Sequence, residues 1–326
     1  MTARSSYTEL QNLTRDLDRT TLPQVPPAPG FYGDLAFKQQ VELWRRWVNW
    51  EKADPLVLKE EDMSAYKGRV LYVYKQALMA LRFFPEMWFE AAEFCFQNDM
   101  VSEGNELLRQ GIEANPESCL LAFKRGDRLE IESESEQDSQ KRGAKVREAY
   151  DKVLDALYAL HTKTREQEEK EVARVKEEFA NSQDDEYHPV ADDEDEVDRT
   201  RETKAKEAAV EAHINTIKTA HGAQNTVVSK LISFSWIALM RAMRRIQGKG
   251  KPGEFAGSRQ VFADARKRGR ISSDVYIASA LIEYHCYKDP AATRIFERGA
   301  RLFPDDENFA LEYLKHLFDI NDVTSE

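Results

Sequence analysis

The side chains best suited to chemistry are six histidines and three cysteines, and their spacing favours packing over metal binding or catalysis. His285 and Cys286 are neighbours along the chain, whereas the other histidines and cysteines are widely dispersed. The pattern around this pair is helical, and adjacent residues of an α-helix point about 100° apart. We therefore expect ordinary helix packing at His285 and Cys286 rather than a metal site.

Motifs of common enzyme and cofactor sites are missing from the sequence. It contains no phosphate-binding glycine loop, no H-E-x-x-H, no C-x-x-C and no nucleophile elbow. We predict a protein that is not an enzyme, with no catalytic residues, no bound metal, no cofactor and no small-molecule ligand.

A basic stretch, Arg241–Arg270, is the strongest local charge pattern, with ten lysines and arginines against two acids. A solvated surface is the simpler interpretation. The functional alternative is a contact for RNA or for an acidic partner segment, such as the chain's own Asp192–Glu196. Its end, Arg266–Arg270, also resembles a nuclear localisation cluster. The candidate contact residues are Arg241, Arg244, Arg245, Lys249, Lys251, Arg266, Lys267, Arg268 and Arg270.

Overall composition argues against binding nucleic acid by charge alone. The net charge is −11, apolar residues make up 41% of the chain and charged residues 32%, and glycine is scarce. This balance is typical of a soluble, helix-rich protein. No run approaches 18 apolar residues, so no membrane span is expected, and the N-terminus has no apolar signal core. Three widely spaced cysteines predict buried free thiols in a reducing compartment, the nucleus or the cytoplasm.

Two stretches of the chain, Met87–Pro116 and Val275–Pro304, share aromatic, apolar, glycine and proline landmarks that coincide after a shift of 188 positions without a gap. Each has an aromatic-led apolar run, a polar break, and a second amphipathic run that ends in proline. This pattern predicts a helical hairpin used more than once. Because one hairpin cannot bury its own apolar face, copies must stack. We predict an all-α fold, an α-solenoid of antiparallel helix pairs.

The order of apolar, proline-rich and charged segments predicts six regions. The first three are the end of an upstream helical region (1–21), a proline-rich linker (22–33) and three hairpins (34–160). The last three are a charged, partly disordered insertion (161–222), two hairpins plus a half hairpin (223–320) and a tail (321–326). Within the insertion, 161–180 can extend the preceding helix. Gln183–Asp198 contains nine acidic residues and no lysine or arginine, which predicts disorder.

Aromatic residues at helical spacing predict the repeat core. The tryptophans alone could be interpreted as a ligand cage, but packing between stacked hairpins is the better interpretation. The predicted core residues are Trp44, Trp47, Trp50, Tyr74, Trp88, Tyr150, Trp236, Phe262, Tyr276 and Phe296.

The last helix, Phe309–Phe318, has no second helix after it in the sequence. A terminal repeat normally needs a polar outer face. We therefore expect either that the chain is a fragment or that this end packs against another subunit. The candidate interface residues are Phe309, Tyr313 and Leu317.

Several of these residues resemble a known family. Trp44-x-x-Trp47-x-x-Trp50-Glu51 resembles the first helix of a half-a-TPR (HAT) repeat. Gln40–Leu58 and Val275–Asp289 are similar, in the same order, to the C-terminal HAT domain of the suppressor-of-forked family. That family includes the large scaffold subunit of cleavage stimulation factor and its counterpart in fungal cleavage factor IA. The resemblance covers roughly 20–160 and 225–320, and the insertion 161–222 is longer and more acidic than the family pattern.

The resemblance implies a non-enzymatic nuclear scaffold for cleavage and polyadenylation of pre-mRNA 3′ ends. It also implies homodimerisation, contacts with other processing factors, and RNA contact that is indirect. A direct RNA-binding module that uses Arg241–Arg270 is the alternative.

Overall fold

The computed structural model describes residues 3–20, 22–23, 35–184, 193–251 and 253–323, and these residues are almost entirely helical. Within the described ranges no β-strand occurs, and Lys251 and Phe255 form an isolated bridge. The predicted all-α class with stacked helix pairs is confirmed. The helices are α1 (Ala3–Thr14), α2 (Leu35–Lys52), α3 (Leu58–Glu61), α4 (Met63–Ala80), α5 (Pro85–Gln97), α6 (Val101–Ala114), α7 (Cys119–Glu132), α8 (Ser139–Asp184), α9 (Asp193–Gln247), α10 (Gly257–Arg268), α11 (Ser273–Leu281), α12 (Ala291–Leu302) and α13 (Glu307–Val323). A π-helical turn, Ile282–Cys286, directly follows α11.

The chain forms two compact units. Unit 1 comprises Met1–Leu154 and Ala238–Ser258, and unit 2 comprises Asp155–Ile237 and Arg259–Glu326. The predicted linker 22–33 lies outside the described residues except for 22–23, whereas α13 continues to Val323, into the segment predicted to be a tail.

In unit 1 the helices pack as successive hairpins. Helix α4 packs against α2 and α5, and α5, α6 and α7 all pack against one another. Local signals set the helix starts: Asp62 accepts a hydrogen bond from the Ala65 amide at 3.0 Å, and Pro85 opens α5. The apolar faces meet in one core, to which each fully buried large side chain contributes about 1.5–3 kcal/mol. Its members include Trp44, Trp47, Tyr74, Met87, Trp88 and Leu108.

Helix α1 also packs on unit 1, although it comes before the predicted linker. Leu10, Leu13 and Leu17 lie against the core, and the Gln40 side chain bridges the Asp18 amide and the Asp16 carbonyl. The region predicted to end something upstream is thus part of this unit.

The shift of 188 positions predicts that α5 and α6 of unit 1 correspond to α11 and α12 of unit 2, and the structure extends the correspondence to α7 and α13. In unit 2, α11, α12 and α13 again pack against one another. Phe262 and Tyr276 meet edge to face with centroids 5.2 Å apart, and Tyr276 meets Phe303 at 5.6 Å. The same hairpin arrangement is therefore built twice, with aromatic rings at its centre.

Within unit 2, α8 and α9 run antiparallel. Tyr158 meets Trp236 at 3.1 Å, and thirteen residues further along α8, Glu171 meets His221 at 3.0 Å. Val175 and Ile214 are buried along the same pairing. Most of the insertion 161–222 is thus an arm of two helices.

The disorder predicted for Gln183–Asp198 needs correction where residues are described. Residues 183–184 end α8 and 193–198 begin α9, while 185–192 lie outside the described residues. Acidic residues in a first helical turn favour the helix, because the amino end of its dipole is positive. Asp193–Glu196 stand at that position.

Nine of the ten predicted core aromatics are buried in the structure. Trp50 is the exception: it is half-buried and packs against the edge of the unit 1 core. Spacing of three falls short of the 3.6 residues per turn, so a Trp44–Trp47–Trp50 stripe drifts off the buried face.

Among the residues that the structure describes, one helical segment, within Thr203–Gln247, is long and apolar enough to cross a membrane by length and composition alone. Half of its apolar window is buried inside the protein, and core helices of water-soluble proteins pass the same test. Val228, Ile232 and Trp236 are among its buried side chains.

Candidate interaction surfaces

The basic stretch is divided between the two units. Its first five candidate residues, Arg241 to Lys251, belong to unit 1, and the last four, Arg266 to Arg270, belong to unit 2. Each group is therefore described by its own surroundings.

In unit 1 the basic side chains are partly neutralised. Arg245 holds Glu130 with two hydrogen bonds of 2.8 and 2.7 Å, and these bonds raise the pKa of the guanidinium. Lys251 lies 3.3 Å from Glu254, while Arg241 is exposed. Charges engaged in such pairs are less available to RNA.

In unit 2 two arginines fasten the end of α10 to α8. Arg268 donates to Asp155 at 2.6 Å, and its guanidinium lies 4.0 Å from the centroid of the Tyr158 ring. Arg270 contacts Nδ1 of His161 at 2.8 Å and donates to Thr162 at 3.1 Å. Burial, followed by the positive charge of Arg270, lowers the pKa of His161. These arginines link the end of α10 to α8, which the sequence pattern did not reveal.

Tyr158 is the centre of this anchor. Its hydroxyl donates to the Gly269 carbonyl at 2.7 Å and accepts from the Trp236 indole N–H at 3.1 Å. Burial raises the pKa of Tyr158. Gly269 has a φ of +75°, a left-handed conformation that glycine adopts without strain. A buried polar network of this kind fixes the turn after α10.

The predicted contact surface on α13 needs correction. Phe309 is 1% exposed and packs on Phe296, with ring centroids 5.8 Å apart. Tyr313 stacks on Phe296 at 5.4 Å, and Leu317 is half-buried. Phe309 and Tyr313 face α12, the helix that precedes α13, so Phe309 belongs to the core.

A different face of α13 is exposed. Leu311, Leu314 and Phe318 are 51%, 51% and 68% exposed, and their spacing of three and four places them on one side of the helix. Leu302, at the end of α12, is also exposed. We call Leu311, Leu314 and Phe318 the α13 face. An apolar stripe on a regular helix can form part of a protein contact surface.

The cysteines and histidines show no sign of a metal site. Among the described residues, no group of three His, Cys, Asp or Glu side chains could hold an ion. Cys95 is buried, and burial raises the pKa of its thiol to about 11. Cys119 is half-buried and Cys286 exposed, so the prediction that all three thiols are buried was wrong.

The whole chain, residues 1–326, matches the family described as suppressor of forked protein (Suf). It is 72% identical over 323 residues to mRNA 3′-end-processing protein rna14 of Aspergillus fumigatus, a match that covers 99% of this chain and 31% of the relative. For the protein of that name in Gibberella zeae the identity is 50% over 330 residues, covering 100% of this chain and 32% of the relative.

A more distant relative, mRNA 3′-end-processing protein RNA14 of Yarrowia lipolytica, is 30% identical over 325 residues, with 99% of this chain and 32% of the relative covered. The chain spans roughly a third of the length of these relatives. Since the family match extends over every residue, the chain belongs to the suppressor of forked protein family.

Proposed function

We propose that this chain is a scaffold segment for pre-mRNA 3′-end processing in the nucleus, and that it acts without catalysis. Stacked helical hairpins present long surfaces on which other proteins can assemble. The family relationship and the names of the relatives support a role in mRNA 3′-end processing. The proposed partners are a second copy of the chain and other cleavage and polyadenylation factors.

The observation that carries the protein-contact role is the α13 face. Leu311, Leu314 and Phe318 project from a helix whose opposite side is packed against α12. Large apolar side chains that share one exposed helical face gain stability when a partner removes them from water. We place the self-contact of the scaffold at this face.

A processing assay tests the role. The full-length protein carrying both Leu314→Glu and Phe318→Glu would be added to an extract depleted of the native protein. We expect cleavage of a pre-mRNA substrate to fall well below the level that the native protein restores. Met79→Glu, at an exposed apolar position on α4 in unit 1, is the matched control and should restore cleavage fully. Full activity of the double variant contradicts the proposed role of the face.

Two features argue against direct RNA binding by the basic stretch. Arg245, Arg268 and Arg270 are engaged within the protein, and the chain as a whole carries a net charge of −11. The scaffold is therefore the function that the observations support best.

A further inference from the structure

An open cleft of about 500 Å³ lies in unit 2, between α10 and α12 and over α11. Four arginines line it: Arg259 and Arg266 from α10, and Arg294 and Arg298 from α12. Two of them, Arg294 and Arg298, lie outside the basic stretch that the sequence pattern singled out. The cleft therefore places positive charge on two facing walls.

One of the four arginines is already neutralised. Arg259 donates to both oxygens of Glu283 at 2.8 and 2.6 Å and to Asp289 at 2.6 Å. Glu283 itself is buried. This network holds the start of α10 to the turn that follows α11, and Arg259 has no spare charge for a ligand.

Arg266, Arg294 and Arg298 keep their charge available. No ion pair involves any of them among the described residues. The guanidinium carbon of Arg266 lies 4.7 Å from the centroid of the Phe262 ring, and the buried Nε of Arg266 has no hydrogen-bond partner among those residues. Arg294 and Arg298 are exposed at the cleft wall. Three uncompensated guanidinium groups in a cleft attract anions, and their forked donors pair well with carboxylates.

We propose that this cleft binds an acidic peptide segment of a partner protein, in extended conformation, through Arg266, Arg294 and Arg298. Arg294 and Arg298 are one helical turn apart, so they are separated by about 6 Å along α12. Carboxylates on alternate residues of an extended chain are about 6.6 Å apart. An acidic residue at every second position matches this arginine spacing.

Peptide fits the cleft better than RNA does. The two aromatic rings in its lining, Phe262 and Tyr276, are buried, so neither offers a free face for a base. Binding of single-stranded RNA normally uses such stacking together with positive charge. The strongly acidic balance of the chain also disfavours a long polyanion.

This inference extends the proposed scaffold function by giving the chemistry of one partner. It is independent of the α13 face, because the cleft is complete within one copy of unit 2. Loss of self-association would leave it unaffected, and loss of peptide binding would leave self-association unaffected.

The test uses the full chain and fluorescence anisotropy. The probes are a labelled eight-residue peptide with glutamate at every second position, the same peptide with glutamine, the same peptide with phosphoserine, and a single-stranded oligouridine. We expect the glutamate peptide to bind, the glutamine peptide not to bind, and the affinity to fall as salt is raised. The variant with both Arg294→Gln and Arg298→Gln should bind the glutamate peptide about tenfold more weakly, because two charge pairs are lost.

Arg301→Gln is the matched control, because Arg301 is an exposed arginine of α12 outside the cleft. It should change the affinity less than about twofold. Thermal unfolding of each variant verifies that the variant is folded. If the double variant is not folded, Arg294→Gln and Arg298→Gln are measured separately in its place. Equal binding of the glutamine peptide, or no effect of the double substitution, overturns the proposal. Tighter binding of the phosphoserine peptide than of the glutamate peptide, if the double variant abolishes it, also overturns the proposal and assigns the cleft to phosphorylated partners. Tighter binding of oligouridine, if the double variant abolishes it, overturns the proposal and assigns the cleft to RNA.

Discussion

Gly299 of α12 lies so close to Phe309 of α13 that a Cβ atom on the glycine would be 2.3 Å from Cζ of the ring. At the equivalent position 188 residues earlier, a Cβ on Gly111 would lie 2.9 Å from Cβ of Trp88 in α5 and 3.2 Å from a methyl of Leu121 in α7. In both copies, a glycine in the second helix of a hairpin leaves room for a side chain from the first helix of the next hairpin, and Gly111 also leaves room for Trp88 of its own hairpin. The stacking of successive repeats depends on this close approach.

The first prediction concerns Gly299→Ala. Real Cβ atoms do not tolerate a 2.3 Å contact, so Phe309 must move, and overpacking of this kind costs about 1–3 kcal/mol. The measurement is the free energy of unfolding from chemical denaturation. Gly68→Ala is the control, because Gly68 is in a helix and has no atom near its added Cβ. That substitution should stabilise by about 0.5–1 kcal/mol. Similar effects at both positions would contradict the close-approach explanation.

The second prediction concerns Trp88, whose indole N–H donates to the Arg82 carbonyl at 2.8 Å. Trp88→Ala should cost about 3–5 kcal/mol, as for other buried aromatic truncations. Met79→Ala, at an exposed position, should stay within about 0.5 kcal/mol of the parent. Thermal melts of both variants provide the check. A Trp88→Ala midpoint within a degree or two of the parent is inconsistent with a core role.

A third prediction concerns Tyr158. Removing its hydroxyl leaves the Trp236 N–H and the Gly269 carbonyl without their partner, which should cost about 1–3 kcal/mol in Tyr158→Phe. Tyr72, on α4, is 57% exposed, so Tyr72→Phe should be nearly neutral. Chemical denaturation measures both. If the two substitutions had the same small effect, Tyr158 would not be the anchor of the α10 turn.

The fourth prediction is a pH dependence of stability from His316. Burial lowers the pKa of His316 below its usual 6.5, Asp319 opposes this, and His285 lowers it further. The unfolded chain therefore binds a proton near pH 6.5 that the folded chain binds only at lower pH. Stability should fall as the pH drops from about 7 towards the depressed pKa.

His316→Gln removes this proton uptake, so the parent should lose more thermal stability than the variant between pH 7 and 5. The difference between the two profiles isolates His316 from other titrating groups, His161 among them. Parallel profiles for parent and variant would show that His316 binds its proton equally in both states.

Regular spacing explains what the sequence could predict. The 188-position shift identified matching helix pairs, and helical periodicity identified nine buried aromatics. Trp50 fell outside the core because a spacing of three drifts away from the buried face. Phe309 was assigned to an interface because the sequence after it lacks a partner helix, yet the preceding helix covers it.

Charge patterns were less informative, because ion pairs join residues that are far apart in sequence. Glu130 and Asp155, the partners of Arg245 and Arg268, lie more than 100 positions away. The acidic composition of the insertion also hid the pairing of α8 with α9, which places Glu171 beside His221. The cleft arginines required knowledge of how α10 and α12 face each other across α11.

Light scattering on the purified chain tests the central claim, self-association through the α13 face, most directly. We predict a mass of twice 37.6 kDa for the parent and for Met79→Glu, and a mass of 37.6 kDa for the variant with Leu314→Glu and Phe318→Glu. A parent that stays at 37.6 kDa at high concentration, or a double variant that remains at twice that mass, would contradict the claim.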